Sequence, residues 1–146
     1  MLTAHGLACD RGDRRLFSAV DFAVAQGQWL QVEGPNGAGK TSLLRIVAGL
    51  APAADGRIEW EGQPVAEVRD EFHARLLYLG HAPSIKDDLS ALENLQTAAA
   101  VAGRPLDEHT ALTALRRIGL KGREDLPTRV LSQGQKRRVA LARLLC

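Results

Sequence analysis

The chain is short of cysteine: there are two in 146 residues, Cys9 and Cys146. A disulfide framework needs more, so burial must hold the fold, and both sulfurs read as free thiols in a reducing compartment. Aromatic residues are scarce as well, at 4%, which leaves Leu, Val, Ile and Ala to fill the core. No apolar run approaches the roughly 18 residues a helix needs to cross a bilayer. The opening MLTAHGLACDRGDRR lacks the basic start and apolar stretch of a secretory signal. Any membrane role is therefore expected to come through a partner. A strong charge of one sign is missing too: the formal net charge of +2 gives no general pull towards nucleic acid or anionic lipid. What is present, 45% hydrophobic and 25% charged residues, suits one globular domain with a real core.

Short apolar runs open the chain. Residues 2–9 read as a strand ended by the turn former Asp10-Arg11-Gly12. Residues 17–25 read as a second, with Val20, Phe22 and Val24 alternating onto one face. A brief buried strand is expected at 29–33, a helix at 42–50, a strand at 56–60 and another buried strand at 75–79 (RLLYL). From Ser84 the pattern turns helical. Ser90 followed three residues later by Glu93 predicts a capping box and a helix that stops at Gly103. Asp107 opens a second helix ending at Gly119, and residues 121–129 read as a polar loop. Ser132 and Gln135 repeat the capping pattern and open a third helix. The expected class is α/β, with an α/β part in residues 1–83 and a mainly helical part at about 84–135.

Gly34-Pro35-Asn36-Gly37-Ala38-Gly39-Lys40-Thr41 fits the phosphate-loop pattern G-x-x-x-x-G-K-[ST] in full, with Ser42 next. A triphosphate needs many donors at close range. Glycines let the backbone curl so that successive N–H groups point inward. The loop feeds a helix N-terminus, where free N–H groups and the helix dipole favour an anion. Lys40 is the candidate for the β- and γ-phosphates and Thr41 for Mg²⁺. The substrate expected is a nucleoside triphosphate, with ATP favoured.

Leu131-Ser132-Gln133-Gly134-Gln135 precedes a helix carrying Lys136, Arg137, Arg138 and Arg143. From Arg129 onward there are five basic residues and no acidic one. By itself this is either an anion-facing helix start or an ordinary capped helix with a solvated basic face. A nucleic-acid patch is a third option, poorly supported without interleaved aromatics.

GPNGAGKT followed some ninety residues later by LSQGQKRRVALAR resembles the ATP-binding subunits of ATP-binding cassette (ABC) transporters. Their second motif has the form LSGGQ, and Gln133 stands here where the family usually has Gly. The resemblance covers the whole chain. It implies a P-loop NTPase core with an antiparallel β-subdomain and a helical subdomain, present here as a partial domain over 1–146, with 131–146 carrying the LSGGQ-type motif and its helix. It implies a head-to-tail dimer with a second ATP-binding subunit, in which residues 131–135 of one chain cap the ATP held by the other. Two positions depart from the family. His81 stands where a Gln usually contacts Mg²⁺ and water, and Arg11 where an aromatic usually stacks on adenine; a surface histidine without a role is the other reading of His81.

The stretches YLGHAPSIKDDLSALENL and VLSQGQKRRVALARL are most similar to the ATP-binding subunits of haem exporters of cytochrome c biogenesis. That likeness implies transmembrane haem-exporter partners and a peripheral place on the cytoplasmic face of a bacterial inner membrane. A subunit of another ABC importer or exporter, and a non-catalytic nucleotide-binding fragment, remain alternatives. A P-loop kinase or GTPase would leave LSQGQ unexplained and has no N-K-x-D string here. The family also has a strand ending in an Asp for Mg²⁺ and a Glu that polarises water, with a switch His later. No apolar run ending in Asp-Glu occurs in these 146 residues. The expectation is therefore a fragment, truncated product or partial sequence that is poorly stable alone and hydrolyses ATP negligibly.

Overall fold

Short apolar runs, the second partly alternating, build the first elements. β1 (Leu2–Arg11) and β2 (Arg14–Val24) pair antiparallel as a hairpin. Val20, Phe22 and Val24 turn towards the protein while Ala19, Asp21 and Ala23 stay exposed, as their alternation requires. The computed structural model describes residues 1–80 and 84–146. These fall into two units, Met1–Leu76 and Leu77–Cys146.

In the first unit β3 (Asp55–Trp60) lies on the other side of β1, and the two-residue β4 (Gln63–Pro64) follows at the edge, giving the order β2-β1-β3-β4. β1 is flanked on both sides, and Ala4, Leu7 and Cys9 are buried. The sheet is antiparallel throughout. The helix α1 (Lys40–Val47) packs Leu43 and Ile46 onto it. β3 approaches β1 so closely that a Cβ on Gly56 would lie 2.4 Å from the His5 carbonyl oxygen. Glycine is required there by space as well as by its φ of +85°.

Two strand expectations are corrected. Residues 29–33 are not a strand: Trp29 and Leu30 are exposed, and only Val32 reaches the core. Residues 75–79 are not a strand either. Arg75 instead ends a helix, α2 (Arg69–Arg75), and 76–80 has no regular structure. Apolar runs of five residues fit a strand only if a neighbour completes the hydrogen-bond ladder, and among the described residues neither run has one.

The second unit is helical. α3 (Ala91–Val101), α4 (Glu108–Arg117) and α5 (Gln133–Ala142) enclose Leu95, Ala111, Leu115, Leu120, Leu131 and Val139. Both capping boxes form. The Ser90 hydroxyl accepts from Glu93 N at 3.1 Å while Ser90 N donates to Glu93 at 2.7 Å. Ser132 and Gln135 repeat the exchange. Asp107 caps α4 through Thr110 N at 2.9 Å, and Gly103 and Gly119 follow their helices with positive φ.

The loop at 121–129 is less polar in its environment than its composition suggests. Thr128 and Glu124 are buried, and Thr128 opens a 3₁₀ turn, Thr128–Val130. Thr128 and Asn94 together hold the backbone at 86–90. The Asn94 amide donates to the carbonyls of Lys86, Leu89 and Ser90 and accepts from Lys86 N at 2.8 Å. Thr128 Oγ1 donates to the Lys86 carbonyl at 2.8 Å. A loop outside the sheet thus has its backbone groups satisfied by two buried side chains together with backbone bonds from Thr128 N to Leu89 O and Arg129 N to Asp87 O.

Candidate nucleotide site

The loop at 34–41 leads from the irregular segment after β2 into α1, and its shape follows from its glycines. Gly34, Gly37 and Gly39 have φ of +150°, +84° and +95°. Gly39 is the N-cap of α1 and its side faces the β-sheet: a Cβ there would lie 3.0 Å from the Phe17 ring and 3.1 Å from Leu16 Cβ. No side chain caps this helix and no acidic residue sits in its first turn. The N–H groups of Lys40, Thr41 and Ser42 therefore start the helix without intrahelical acceptors, at the positive end of its dipole.

Lys40 folds its ammonium back over the loop and donates to the carbonyl oxygens of Gly34 at 2.6 Å and Pro35 at 2.8 Å. An ammonium has three donor directions, so the two bonds tie the loop's first turn to α1 and leave one direction over. Ala38 N donates to Pro35 O at 3.3 Å, closing the turn between them. Pro35, Asn36, Gly37 and Thr41 are exposed, and Ala38, Lys40 and Ser42 are half-buried. The arrangement sets the backbone donors of the helix start beside one cation, which suits a polyphosphate.

Arg11 closes β1 at the hairpin tip, opposite Arg14 and exposed. The same hairpin supplies Phe17, which meets Gly39. His81 lies outside the described residues.

The second constellation belongs to the second unit. Leu131 is buried in the helical core, and Ser132, Gln133 and Gly134 are exposed at the start of α5. Ser132 Oγ accepts from Gln135 N at 3.2 Å, and Gln135 Oε1 accepts from Ser132 N at 2.8 Å. Gln133 is the first residue of α5 and does not adopt positive φ. The substitution of Gln for the usual Gly is therefore free of backbone strain. Lys136 is tucked in and paired with Asp87, and Arg129 pairs with Asp88 at 3.2 Å.

Sequence reasoning missed α2 and what it does. Val68, Phe72 and Leu76 recur every fourth residue, with Asp70 and Glu71 in the first turn and Arg75 in the last. That spacing was the available signal. Phe72 packs against Trp60 with ring centroids 5.8 Å apart, and the Arg75 guanidinium lies 5.3 Å from the Trp60 ring centre. Among the described residues no group of three His, Cys, Asp or Glu could hold a metal, and no helix is long and apolar enough to cross a membrane.

A phosphate loop on a helix start, an antiparallel sheet in one unit and a capped LSQGQ helix in another define an ATP-binding cassette fold. The chain belongs to the ABC transporter family, which it matches over residues 17–146. It is 57% identical over 144 residues to the cytochrome c biogenesis ATP-binding export protein CcmA of Aromatoleum aromaticum, covering 99% of this chain and 67% of that protein. It is 49% identical to the protein of the same name from Escherichia coli K12, covering 99% and 68%. A solved ATP-binding subunit of an ABC transporter superposes with a TM-score of 0.83 at 25% identity, covering 99% of this chain and 62% of that one.

Proposed function

We propose that the chain is the ATP-binding part of a transporter that energises haem export for cytochrome c biogenesis. The supporting observation is the phosphate loop itself: the positive-φ glycines, the uncapped α1 N-terminus and the Lys40 ammonium folded over the loop lie within residues 34–42. The export role rests on the high identity to proteins named for cytochrome c biogenesis export.

In this reading residues 34–42 hold the triphosphate. The N–H groups of 39–42 and Lys40 face the β- and γ-phosphates, and Lys40 exchanges its bonds to Gly34 and Pro35 for phosphate oxygens. Thr41, exposed at the second position of α1, is a suitable single protein oxygen for Mg²⁺, which takes few protein ligands and completes its shell with phosphate and water. Bound there, the ion would neutralise charge developing on the transferred phosphoryl group. Arg11 is assigned the adenine face, on which a guanidinium can lie flat, and His81 the polar role of the family's Gln towards Mg²⁺ and water.

The exposed Ser132, Gln133 and Gly134 and the N-terminus of α5 are assigned to ATP held by a second subunit in a head-to-tail dimer. Transmembrane haem-handling subunits are the proposed partners, at the cytoplasmic face of an inner membrane. Hydrolysis is proposed for the protein within that assembly.

The test is Lys40→Met. Replacing a charge-assisted contact to phosphate should weaken Mg·ATP binding roughly ten- to hundredfold, with the melting temperature little changed because the side chain is not in the core. Unaltered affinity in a folded sample would refute the site.

A further inference from the structure

The C-terminal end of α1 is held by the helix the sequence pattern did not announce. His73 Nε2 lies 3.0 Å from the carbonyl oxygen of Ala48, the C-cap of α1. A carbonyl offers no proton, so Nε2 carries the hydrogen and donates. Arg69 Nη2 donates to the Gly49 carbonyl at 3.2 Å. The two side chains are four residues apart and so share one face of α2. Gly49 turns the chain between them with φ of +67°, and a Cβ there would lie 3.0 Å from His73 Nε2. Glycine, imidazole and helix end are fitted to one another.

This matters because α1 has only eight residues. Helices that short do not persist alone, and their last carbonyls lack intrahelical partners. The length is about 12 Å, so a shift at one end is carried to the other as a rigid tilt. At the N-terminal end Phe17 and Leu16 close on Gly39. At the C-terminal end the donors come from α2, which is itself held by Phe72 and Arg75 against Trp60. Donors at a helix C-terminus also complement the dipole whose positive end lies at the phosphate loop.

We infer that His73 and Arg69 are positioning residues for the nucleotide site, acting through the carbonyls of Ala48, the C-cap of α1, and of Gly49, the turn residue just beyond it. This rests on the nucleotide-site reading above. Neither residue touches the phosphate loop; they set the orientation of the helix that presents its first N–H groups and Lys40.

The experiment uses the protein as its gene encodes it, titrated with Mg²⁺ and a fluorescent mant-ATP, with melting recorded alongside. His73→Leu keeps bulk and removes the donor; affinity should fall roughly three- to tenfold, the worth of one hydrogen bond. His73→Gln returns an amide donor and should bind within about twofold of the parent. Arg69→Leu, at an exposed position, should weaken binding roughly twofold or more, and it decides the matter if His73→Leu fails to fold. Lower melting temperatures with unchanged affinity would overturn the inference, as would a His73→Gln protein no better than His73→Leu. Lys40→Met separates the two failures: if it binds like the parent, the nucleotide site itself is wrong, whatever happens at His73.

Discussion

Gly39 and Phe17 are fitted to each other: a Cβ on the glycine would stand 3.0 Å from Cδ1 of the ring and 3.2 Å from Cε1. The helix that presents the phosphate loop is thus seated on the β1–β2 hairpin at its N-cap. The contact joins the two halves of the first unit's chemistry, a sheet that supplies a rigid floor and a loop that supplies donors.

Gly39→Ala should therefore cost more than backbone strain. The left-handed backbone alone costs a non-glycine residue about 1–2 kcal/mol, and the methyl must also displace Phe17 and Leu16. Gly12→Ala is the control, with φ of +59° and nothing within 4 Å of its Cβ. Chemical denaturation should rank Gly39→Ala as the more destabilised, and nucleotide titration should show weakened binding for it alone. Equal behaviour of the two would mean the Phe17 contact carries no weight.

Asn94 should be among the costliest polar side chains to remove from the second unit. Its amide serves three carbonyls and one N–H of the segment 86–90. Asn94→Ala leaves them without those partners, and about 2 kcal/mol of stability should be lost. Thr128→Val, which deletes the hydroxyl's bond to the Lys86 carbonyl and the long one it accepts from Asn94, should cost about 1 kcal/mol. Amide hydrogen exchange at residues 86–90 should accelerate in both. Unchanged protection would show that solvent replaces these bonds freely.

Glu124 gives the second unit a defined pH response. Its carboxyl is held below the ordinary value of 4.5, first by a hydrogen bond from its own backbone N–H, against partial burial, and further by Arg116 and the Gly122 N–H. Arg116 Nε donates to it at 3.1 Å. A carboxylate lowered on folding stabilises the native state at pH above its unfolded value. That stabilisation drains away as pH falls below 4.5 through the lowered folded value. Glu124→Gln should be less stable than the parent at pH 7, and the gap should close on acidification. A gap that stays constant from pH 7 to pH 3 would sink this account.

Local chemistry was legible in the sequence wherever it is complete within a few residues. Ser90 with Glu93, Ser132 with Gln135, and Asp107 with Thr110 cap the helices they open, because each cap closes over three residues and needs nothing from afar. The glycines of the phosphate loop belong to the same kind, since positive φ is a property of one residue. The runs at 29–33 and 75–79 misled for the opposite reason. A strand is defined by its neighbour, and WLQVE or RLLYL carries the same apolar residues whether or not a ladder lies beside it.

The sequence by itself determined the phosphate-loop pattern, the helix caps and the family they point to, because those depend on short-range stereochemistry and spacing. Only the tertiary structure decided that α2 ends under Trp60 with His73 and Arg69 on the carbonyls of Ala48 and Gly49, at and just past the cap of α1. It alone showed that Asn94 and Thr128 hold a loop 34 residues apart in sequence. Such contacts join residues whose types are unremarkable one at a time, and burial and direction exist only once the chain has packed.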